Sequence, residues 1–282
     1  MFHRTRLFLA AYRYLPHRAL NRTARFIAER EPPLRLVSAL IALWAKHGGI
    51  DLSEADGAPY RSLQEFFLRS LKPGTRPLGD GFVSPVDGTI IACGPISRDR
   101  EVSIKGHALS LARVLDDDAQ FAALQGGSFC VVFLSPADYH HIHMPISGRV
   151  LRVRSIAGRY FPQNEVALGH IARVYERNER AVLACTSEQG LPFALVLVGA
   201  SLVGGIHLDH ADQAHWLQPR AVSLDLALQQ GQRLGHFAFG STVVALVPAG
   251  YAPARTLRVG RHVKFGQTLF EASVQEPAAS PT

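Results

Sequence analysis

The sequence contains the parts of an Asp-His-Ser arrangement, in that order along the chain. Asp87 follows Ser84-Pro85-Val86, His143 belongs to a histidine-rich segment, and Ser241 precedes the apolar run 243–247. In such an arrangement the histidine takes the serine proton, while the aspartate orients the imidazole and stabilises its charged form. For Asp87 taken alone, before a glycine at a strand start, an ordinary turn is the alternative.

The setting of Ser241 favours attack on its own backbone over attack on an external ester. An α/β-type hydrolase presents its serine in Gly-x-Ser-x-Gly, a pattern that Phe239-Gly240-Ser241-Thr242-Val243 lacks. The polar run 229–233 and the apolar run that follows predict a strand that starts at or just before Ser241. Glycine allows a close approach to the backbone, so the hydroxyl can reach the Gly240 carbonyl. A turn at a strand edge is the alternative for Gly-Ser-Thr alone.

Three histidines occur within four residues in the segment Asp138-Tyr139-His140-His141-Ile142-His143-Met144-Pro145. Histidine suits acid–base work because its pKa lies near neutrality. In a regular strand His140 and His143 point to opposite faces, so a shared site requires a turn or bulge. His141 and His143 can also ligate a metal, but no carboxylate or cysteine cluster completes such a site, and we expect none.

Residues 1 to about 50 predict basic, amphipathic helices that lie on an anionic membrane surface. Apolar residues recur at helical spacing in 1–15, Ala19–Arg30 and Leu34–Lys46. Pro32-Pro33 separates the second helix from the third, and Gly48-Gly49 ends the third. Packing of these helices on the protein body is the alternative, and both can hold on different faces.

The composition bounds the class of protein and of partner. The chain has 282 residues, 47% hydrophobic, with a net charge of +7, which favours an anionic partner. Basic and aromatic residues do not interleave as in a nucleic-acid module, so a membrane surface is preferred. No apolar run reaches the roughly 20 residues of a membrane span, and we expect no secretory signal. Cys93, Cys130 and Cys185 are far apart and are expected to be buried, reduced thiols.

From Val83 onward the pattern changes to short β-type runs that turn residues separate. The predicted strands are Gly88–Cys93, Ser128–Leu134, Gly148–Val153, Ala181–Thr186, Phe193–Val203, Thr242–Val247 and Leu257–Val259. Short helices are predicted at Leu63–Leu71 and Ser110–Leu115. The chain is therefore expected to be mainly β, α+β overall, with N-terminal amphipathic helices.

Several segments, in order along the chain, resemble the phosphatidylserine decarboxylases, which are pyruvoyl-dependent, self-cleaving enzymes. The resemblance is strong over about residues 58–270 and loose over the N-terminal helices. Its motifs are Phe66-Phe67-x-Arg69, Leu71-Lys72-Pro73-Gly74, Ser84-Pro85-Val86-Asp87-Gly88, Ile104-Lys105-Gly106-His107, Asp138 to Pro145, Asn178-Glu179-Arg180, Val198-Gly199-Ala200 and Phe239-Gly240-Ser241-Thr242. Phe239 stands where many members have leucine or another residue, a small departure that leaves the Gly240–Ser241 bond unchanged.

The resemblance implies a proenzyme that cuts itself between Gly240 and Ser241. His143 takes the Ser241 proton, Asp87 orients the imidazole, and the hydroxyl attacks the Gly240 carbonyl to give an ester. Elimination and hydrolysis then convert Ser241 into an N-terminal pyruvoyl group and release ammonia. The products are a β chain, residues 1–240, and an α chain, residues 241–282, which stay associated.

The same resemblance implies the reaction. The pyruvoyl group forms a Schiff base with phosphatidylserine and accepts the electrons left when carbon dioxide departs, which gives phosphatidylethanolamine. His140 assists decarboxylation and the following proton transfer, and His141 is only a neighbour. Arg69, Lys72 and Arg76 are candidates for phosphate contacts, with an exposed structural role as the alternative.

The resemblance also implies where the protein works. We expect a barrel-sandwich-like catalytic domain, residues 51–282, behind membrane-associating helices in residues 1–50. The enzyme is then peripheral, at the cytoplasmic face of the cell membrane, where it meets phosphatidylserine and anionic lipid. No metal and no nucleic acid are expected, and assembly into a homo-oligomer is left open.

Two other function classes compete with this interpretation. A serine hydrolase would use the same three residues on an external ester and would keep an intact chain with a free Ser241 hydroxyl. A non-catalytic membrane-binding β-domain protein would bind anionic vesicles and show neither cleavage nor carbonyl chemistry.

Overall fold

A computed structural model describes residues 16–96, 101–104, 107–163, 165–200, 205–212, 221–238 and 241–273. The helices are α1 His17–Ala28, α2 Leu34–Gly48, α3 Leu63–Phe67, α4 Leu111–Leu115, α5 Asp118–Ala123, α6 Glu165–Leu168 and α7 Val174–Arg177.

The strands are mostly short. They are β1 Ala55–Asp56, β2 Ser70–Leu71, β3 Phe82–Val83, β4 Gly88–Pro95, β5 Glu101–Ile104, β6 His107–Ser110, β7 Ser128–Leu134, β8 His141–His143, β9 Gly148–Ile156, β10 Arg180–Ser187, β11 Pro192–Gly199, β12 Ile206–Leu208, β13 Ala221–Leu228, β14 Arg233–Phe237, β15 Ser241–Val247, β16 Tyr251–Pro253, β17 His262–Val263 and β18 Thr268–Ala272.

One large antiparallel sheet organises the described part of the chain. Its eight strands run in the order β13-β9-β10-β11-β15-β7-β4-β17. Side chains of a strand alternate between the two faces, and both faces here are covered. Val243 and Ala245 of β15 enter one core, whereas Val244 and Leu246 enter the other. This double burial explains why β15 reads as a continuous apolar run.

Different layers cover the two faces of the large sheet. The face that Val243 enters packs against the small sheets β12-β14-β8 and β16-β18-β3, through side chains such as Ile142, Phe237 and Phe270. The other face packs against the short helices, through Val114, Phe121 and other side chains. The small sheet β12-β14-β8 bears the histidine segment, and its strand β14 leads towards β15.

The helix α2 has two apolar faces. Val37 and Ile41 are buried on the inner face, which packs with Tyr60 and Phe66. Leucines on the outer face are between 43% and 56% exposed, for example Leu40 at 43% and Leu43 at 56%. Gly49 ends the helix in the left-handed conformation, with φ of 62°. None of the described helices is long and apolar enough to cross a bilayer.

The mainly β fold with N-terminal helices is confirmed, with changes at several boundaries. The predicted strand 257–259 is wrong, because this stretch forms turns such as Leu257 N–H to the Ala254 carbonyl, and the strand lies at His262–Val263. The helix predicted to reach Leu71 ends at Phe67, since Ser70 and Leu71 pair with β1. The strand predicted to Val203 ends at Gly199.

Other expectations lie partly or wholly outside the described residues. The helix in residues 1–15 lies outside them, as do residues 201–203 of the predicted strand 193–203. Cys93 and Cys130 are far apart in sequence but adjacent in space, because the pairing of β4 with β7 places them directly opposite each other. The barrel-sandwich likeness and the domain boundary at residue 50 stay predictions.

Candidate active site

Three strand ends meet at one edge of the large sheet. β4 begins at Gly88, β7 ends at Leu134 and β15 begins at Ser241. Ser241 pairs with Leu134, and Thr89 pairs with Phe133 on the other side of β7. Neighbouring strands lie about 4.8 Å apart, so the backbones at Gly88 and Ser241 are separated by about 10 Å. Strand order thus places Asp87 and Ser241 at the same edge, on either side of β7.

Ser241 is the buried first residue of its strand. It is 0% exposed and pairs with Leu134 on one side and Gly199 on the other. By alternation along β15, its side chain shares the face of Val243, which is the face covered by the small sheets. Thr242 points the other way and donates to Gln163 Oε1 at 2.6 Å.

The Ser241 hydroxyl is an orphan among the described residues, where its Oγ has no hydrogen-bond partner. A buried hydroxyl without a partner costs free energy, and each such group calls for an explanation. Complete burial also denies an external acyl group access to this oxygen. The arrangement therefore suits a nucleophile whose target is its own chain. Gly240, whose carbonyl carbon forms the predicted scissile bond with Ser241, lies outside the described residues, as does Phe239.

The segment that contains the predicted cut is tied at both ends to the histidine segment. The Phe237 N–H donates to the His140 carbonyl at 3.0 Å, and Ser241 pairs with Leu134. Phe237 therefore lies beside His140, four residues before Ser241, and Ser241 lies beside Leu134, six residues before His140. The structure thus brings His140 and Ser241 to one locality, although no described contact joins their side chains.

His140 is fully buried and is held by one ring nitrogen. Its Nδ1 donates to the Asp138 carbonyl at 2.8 Å, because a carbonyl can only accept. Within the described chain, its Nε2 has no partner. Burial disfavours the charged ring and lowers the pKa of His140 to about 3. The imidazole is therefore neutral, and its buried Nε2 is unprotonated and carries the lone pair.

His143 is also buried, and both of its ring nitrogens are engaged. Nδ1 donates to the Gly231 carbonyl at 2.8 Å, so the hydroxyl of Tyr139, 3.0 Å away, donates to Nε2. Burial lowers the pKa of His143 to about 4. The ring stacks on Phe265 with centroids 3.7 Å apart. This arrangement fixes the tautomer with its lone pair on Nε2.

Asp87 and His143 both contact Phe265. The Asp87 carboxylate accepts from the Phe265 N–H at 2.6 Å and from Arg76 Nη2 at 2.8 Å. Burial raises the pKa of Asp87, and the Phe265 N–H and Arg76 oppose that rise. No hydrogen bond between Asp87 and His143 occurs in the described residues; the Phe265 backbone and ring connect them instead.

The faces of β8 separate His143 from the core that Ser241 faces. Ile142 enters that core, so its neighbours His141 and His143 point to the other face of their strand. His141 donates from Nε2 to the Leu68 carbonyl at 2.9 Å and stacks on Tyr139. The structure therefore groups Asp87 with His143, and His140 with the segment of Ser241.

His143 lines an open cleft of about 730 Å³. Its other lining residues include Lys72, Arg76, Tyr139 and Gln230. A smaller cavity of about 200 Å³ lies beside Asp87 and is lined by Arg69, Asp138 and Lys264 among others. No group of three or more His, Cys, Asp or Glu side chains in the described ranges is arranged to hold a metal ion.

The structure adds residues that sequence reasoning did not assign to the site. Tyr139, Gly231 and Phe265 surround His143, and Arg76 pairs with Asp87. The position of Tyr139 between Asp138 and the histidines could have indicated a role at the site. The residues around Gly231 and Phe265 form no motif that could have indicated theirs.

The three cations suggested for phosphate differ in exposure. Arg69 is 5% exposed and Arg76 is buried in ion pairs with Asp87 and Glu54, so an exposed structural role is wrong for both. Lys72 is exposed and donates to the Ser53 carbonyl at 2.7 Å. Of these three cations, Lys72 is therefore the one that can bind a ligand from solvent directly. Arg76 would first have to break a buried ion pair, and Arg69 would have to leave its buried position.

Comparison with known proteins identifies the family of this chain. The profile of the phosphatidylserine decarboxylase family matches residues 63–271. A phosphatidylserine decarboxylase proenzyme of Methylibium petroleiphilum is 38% identical, over 90% of this chain and 96% of its own length. The proenzyme of Acidovorax ebreus is 39% identical over 87% and 93%, and that of Pseudomonas putida 34% over 95% and 98%. The chain therefore belongs to the phosphatidylserine decarboxylase family.

Proposed function

We propose that this member of the family decarboxylates phosphatidylserine with a pyruvoyl group that it makes from its own Ser241. The observation that carries the proposal is the Ser241 side chain. Its hydroxyl is buried at the first position of a central strand, without a partner in the described chain. A serine for external esters needs access, whereas a serine that attacks the preceding carbonyl needs only its own backbone.

Self-cleavage begins when the Ser241 hydroxyl loses its proton and attacks the carbonyl of residue 240. The peptide C–N bond breaks as the ester C–O bond forms. Elimination then leaves a carboxylate on residue 240, and water replaces the nitrogen of residue 241, which departs as ammonia. His143 is the proposed base because its lone pair is on Nε2 and burial keeps its ring neutral.

In the described conformation Tyr139 occupies the Nε2 of His143, on the face of β8 away from the core that Ser241 enters. The proposed transfer therefore requires His143 to give up this hydrogen bond first. Asp87 contributes its negative charge and holds Phe265, whose ring sets the plane of the imidazole. Catalytic hydrogen bonds are often long before the reactive complex forms.

The residues at the site fit a covalent group at the head of β15. The pyruvoyl carbonyl supplies an electron sink when carbon dioxide leaves. His140 is proposed to assist that step and the proton transfer after it, because its Nε2 has no described partner and its backbone carbonyl accepts from the Phe237 N–H, four residues before residue 241. Burial excludes water from this nitrogen in the described conformation.

The cut leaves the α chain held in the fold. β15 pairs with β11 and β7, β17 pairs with β4, and β18 pairs with β3. Each of these partners belongs to residues 1–240. The proposed products, 1–240 and 241–282, therefore stay together without a covalent link.

Phosphatidylserine lies in a bilayer, so the enzyme must work at its surface. Apolar side chains are exposed on both N-terminal helices, namely the outer leucines of α2 and Phe26 and Ile27 of α1, and Arg22 and Arg25 are exposed on α1. Such a surface binds anionic lipid peripherally. We place the protein on the cytoplasmic face of the membrane, where anionic lipid is enriched.

Intact mass spectrometry of the purified protein tests this function. We expect two chains split after residue 240, the smaller of which has a pyruvoyl group in place of an amino terminus. A single uncut chain in a preparation that decarboxylates phosphatidylserine contradicts the proposal. An uncut chain that hydrolyses esters instead identifies the protein as a serine hydrolase.

A further inference from the structure

The short helix α3 and the two residues after it hold the histidine segment at four points. The Phe67 ring lies on His140 with centroids 4.0 Å apart, and the Leu68 carbonyl accepts from His141. Arg69 Nη2 donates to the carbonyls of Ala137 and Asp138, at 2.6 and 3.2 Å. The Asp138 carbonyl is the same one that accepts from His140 Nδ1.

His140 has few other restraints on its ring. One hydrogen bond from Nδ1 allows the imidazole to rock about that contact, and Nε2 has no described partner. The Phe67 ring, 1% exposed, is the described aromatic ring that lies against it, at an interplanar angle of 40°. Aromatic contacts at this separation favour particular ring orientations. The direction of Nε2 therefore depends on where Phe67 is held.

Phe67 is in turn held from α2. Trp44 stacks on Phe67 with centroids 6.3 Å apart and an interplanar angle of 17°. The N-terminus of α3 is fixed separately, because the Ser62 hydroxyl accepts from the Glu65 N–H at 3.0 Å. Three rings, from Trp44 through Phe67 to His140, thus connect the helix with the exposed leucines to the histidine segment.

We infer that Phe67 is a positioning residue that sets the imidazole of His140 for decarboxylation, and that Trp44 supports it from α2. The inference rests on the role proposed for His140. The contact that carries this role is the one between the Phe67 and His140 rings, so Phe67 is assigned an effect through His140. Misplacement of a catalytic group by about 1 Å can cost a factor of about 100 in rate.

The test is a double-mutant cycle in the full chain with Phe67→Leu and His140→Ala. We expect Phe67→Leu to cut itself fully and to lower kcat for phosphatidylserine in detergent micelles by about tenfold, with KM within about twofold of wild type. In the His140→Ala background, Phe67→Leu should cause no further loss.

Phe66→Leu is the matched control. Phe66 is the neighbouring buried phenylalanine of the same helix and packs on Trp44 and Tyr60, with no described ring contact to His140. We expect its cleaved enzyme to keep kcat within about twofold of wild type. Equal losses in the two phenylalanine variants, or a full tenfold loss on top of His140→Ala, overturn the inference.

Trp44→Leu decides the matter if Phe67→Leu does not fold. Trp44 is half-buried, so its loss disturbs the core less. We expect a loss of kcat of about threefold that disappears in the His140→Ala background. Unchanged kcat in Trp44→Leu overturns the inference. If His140→Ala is itself fully active, the proposed role of His140 fails instead, and the two failures are distinguishable.

Discussion

Burial decides the protonation state of both histidines at this site. A buried imidazolium loses its hydration, so the neutral ring is favoured and the pKa of His140 and of His143 falls. Each ring also donates from Nδ1 to a backbone carbonyl, at Asp138 and Gly231 respectively. Two neutral bases with their lone pairs on Nε2 result, one without a partner and one bound by Tyr139.

Substitution of each histidine separates their roles. We expect His143→Ala to remain a single uncut chain, because the proposed base for Ser241 is gone. We expect His140→Ala to cut itself and then to decarboxylate only at a small residual rate. Gel electrophoresis and release of labelled carbon dioxide measure the two steps, with Ser241→Ala as the uncut control. An uncut His140→Ala chain would show that the histidine beside the scissile segment is the base.

The pH dependence of self-cleavage follows from the lowered pKa of His143. The free base persists until the pH falls to the folded-state pKa, which is about 4 instead of the ordinary 6.5. The rate should therefore stay level from about pH 8 to about pH 5 and fall below that. Chains made by a short cell-free pulse and transferred to buffers of different pH provide the measurement.

Phe265→Ala is the companion variant for this profile. It removes the ring that covers one face of the imidazole while the backbone N–H to Asp87 remains. Water then reaches His143, its pKa rises towards 6.5, and the acid limb moves to higher pH. An acid limb near pH 6.5 in the wild-type chain contradicts the burial argument.

At the scale of elements, register is what places the reacting groups. Gly88, Leu134 and Ser241 lie in one row across β4, β7 and β15. A Cβ at Gly88 would overlap the Phe133 carbonyl oxygen of β7, so only glycine permits this approach of the strands. The position of Asp87, one residue earlier, depends on the same approach.

Gly88→Ala tests the register. We expect it to push β4 from β7, to cost about 1–3 kcal/mol of stability, and to slow self-cleavage by about tenfold or more because Asp87 is displaced. Gly94→Ala is the matched control in the same strand, since its Cβ would meet its nearest neighbour, in Phe129, at 3.7 Å. Pulse-labelled chains followed over time give the rates. Equal rates for the two variants would show that the close approach at Gly88 is dispensable.

Some of these elements could be predicted from the sequence and others could not. The runs at β7, β11 and β15 are apolar on both faces, so composition alone reveals them. Short edge strands such as β8 and β12 have no such run and form because a neighbour pairs with them. The stretch 257–259 has the composition of a strand but lies in a turn before β17.

The site divides in the same way. Asp87, His140, His143 and Ser241 lie in local motifs whose residue types indicate their chemistry. The partners Phe265 and Gly231 come from 178 and 88 residues away, and are brought by sheet topology. Their residue types are ordinary, and their hydrogen bonds to the site come from backbone atoms. No local pattern can therefore signal them, which is also why the face on which His143 lies was not foreseen.

At the scale of the whole molecule, the helical face and the catalytic edge are on connected elements. α2 packs on α3, and Arg69, which follows α3, donates a hydrogen bond to the residue before the histidine segment. The exposed leucines of α2 flank the buried Val37 on the same helix and leave apolar surface uncovered. Docking on a bilayer through this face would thus hold the catalytic body close to the lipid surface.

Paired charge substitutions test the docking face. We expect Leu40→Asp with Leu43→Asp to weaken binding to phosphatidylserine-containing vesicles by about tenfold or more. Each leucine that becomes buried in the bilayer contributes about 1.5–3 kcal/mol to the free energy of binding. Leu151→Asp with Leu191→Asp adds the same charge at similarly exposed leucines away from α2 and should bind normally. Co-sedimentation gives the affinities. Equal weakening in the two pairs would point to charge alone.

The alignment of Gly88, Leu134 and Ser241 across three strands determines when the chain can cut itself. These residues come from three distant parts of the sequence, so the alignment exists only after the large sheet has closed. The cut is irreversible and occurs only in chains that have completed folding, so a cut chain is one that has folded. Chains that stall or misfold remain full length, and the ratio of uncut to cut protein in a cell extract reports the folding yield directly.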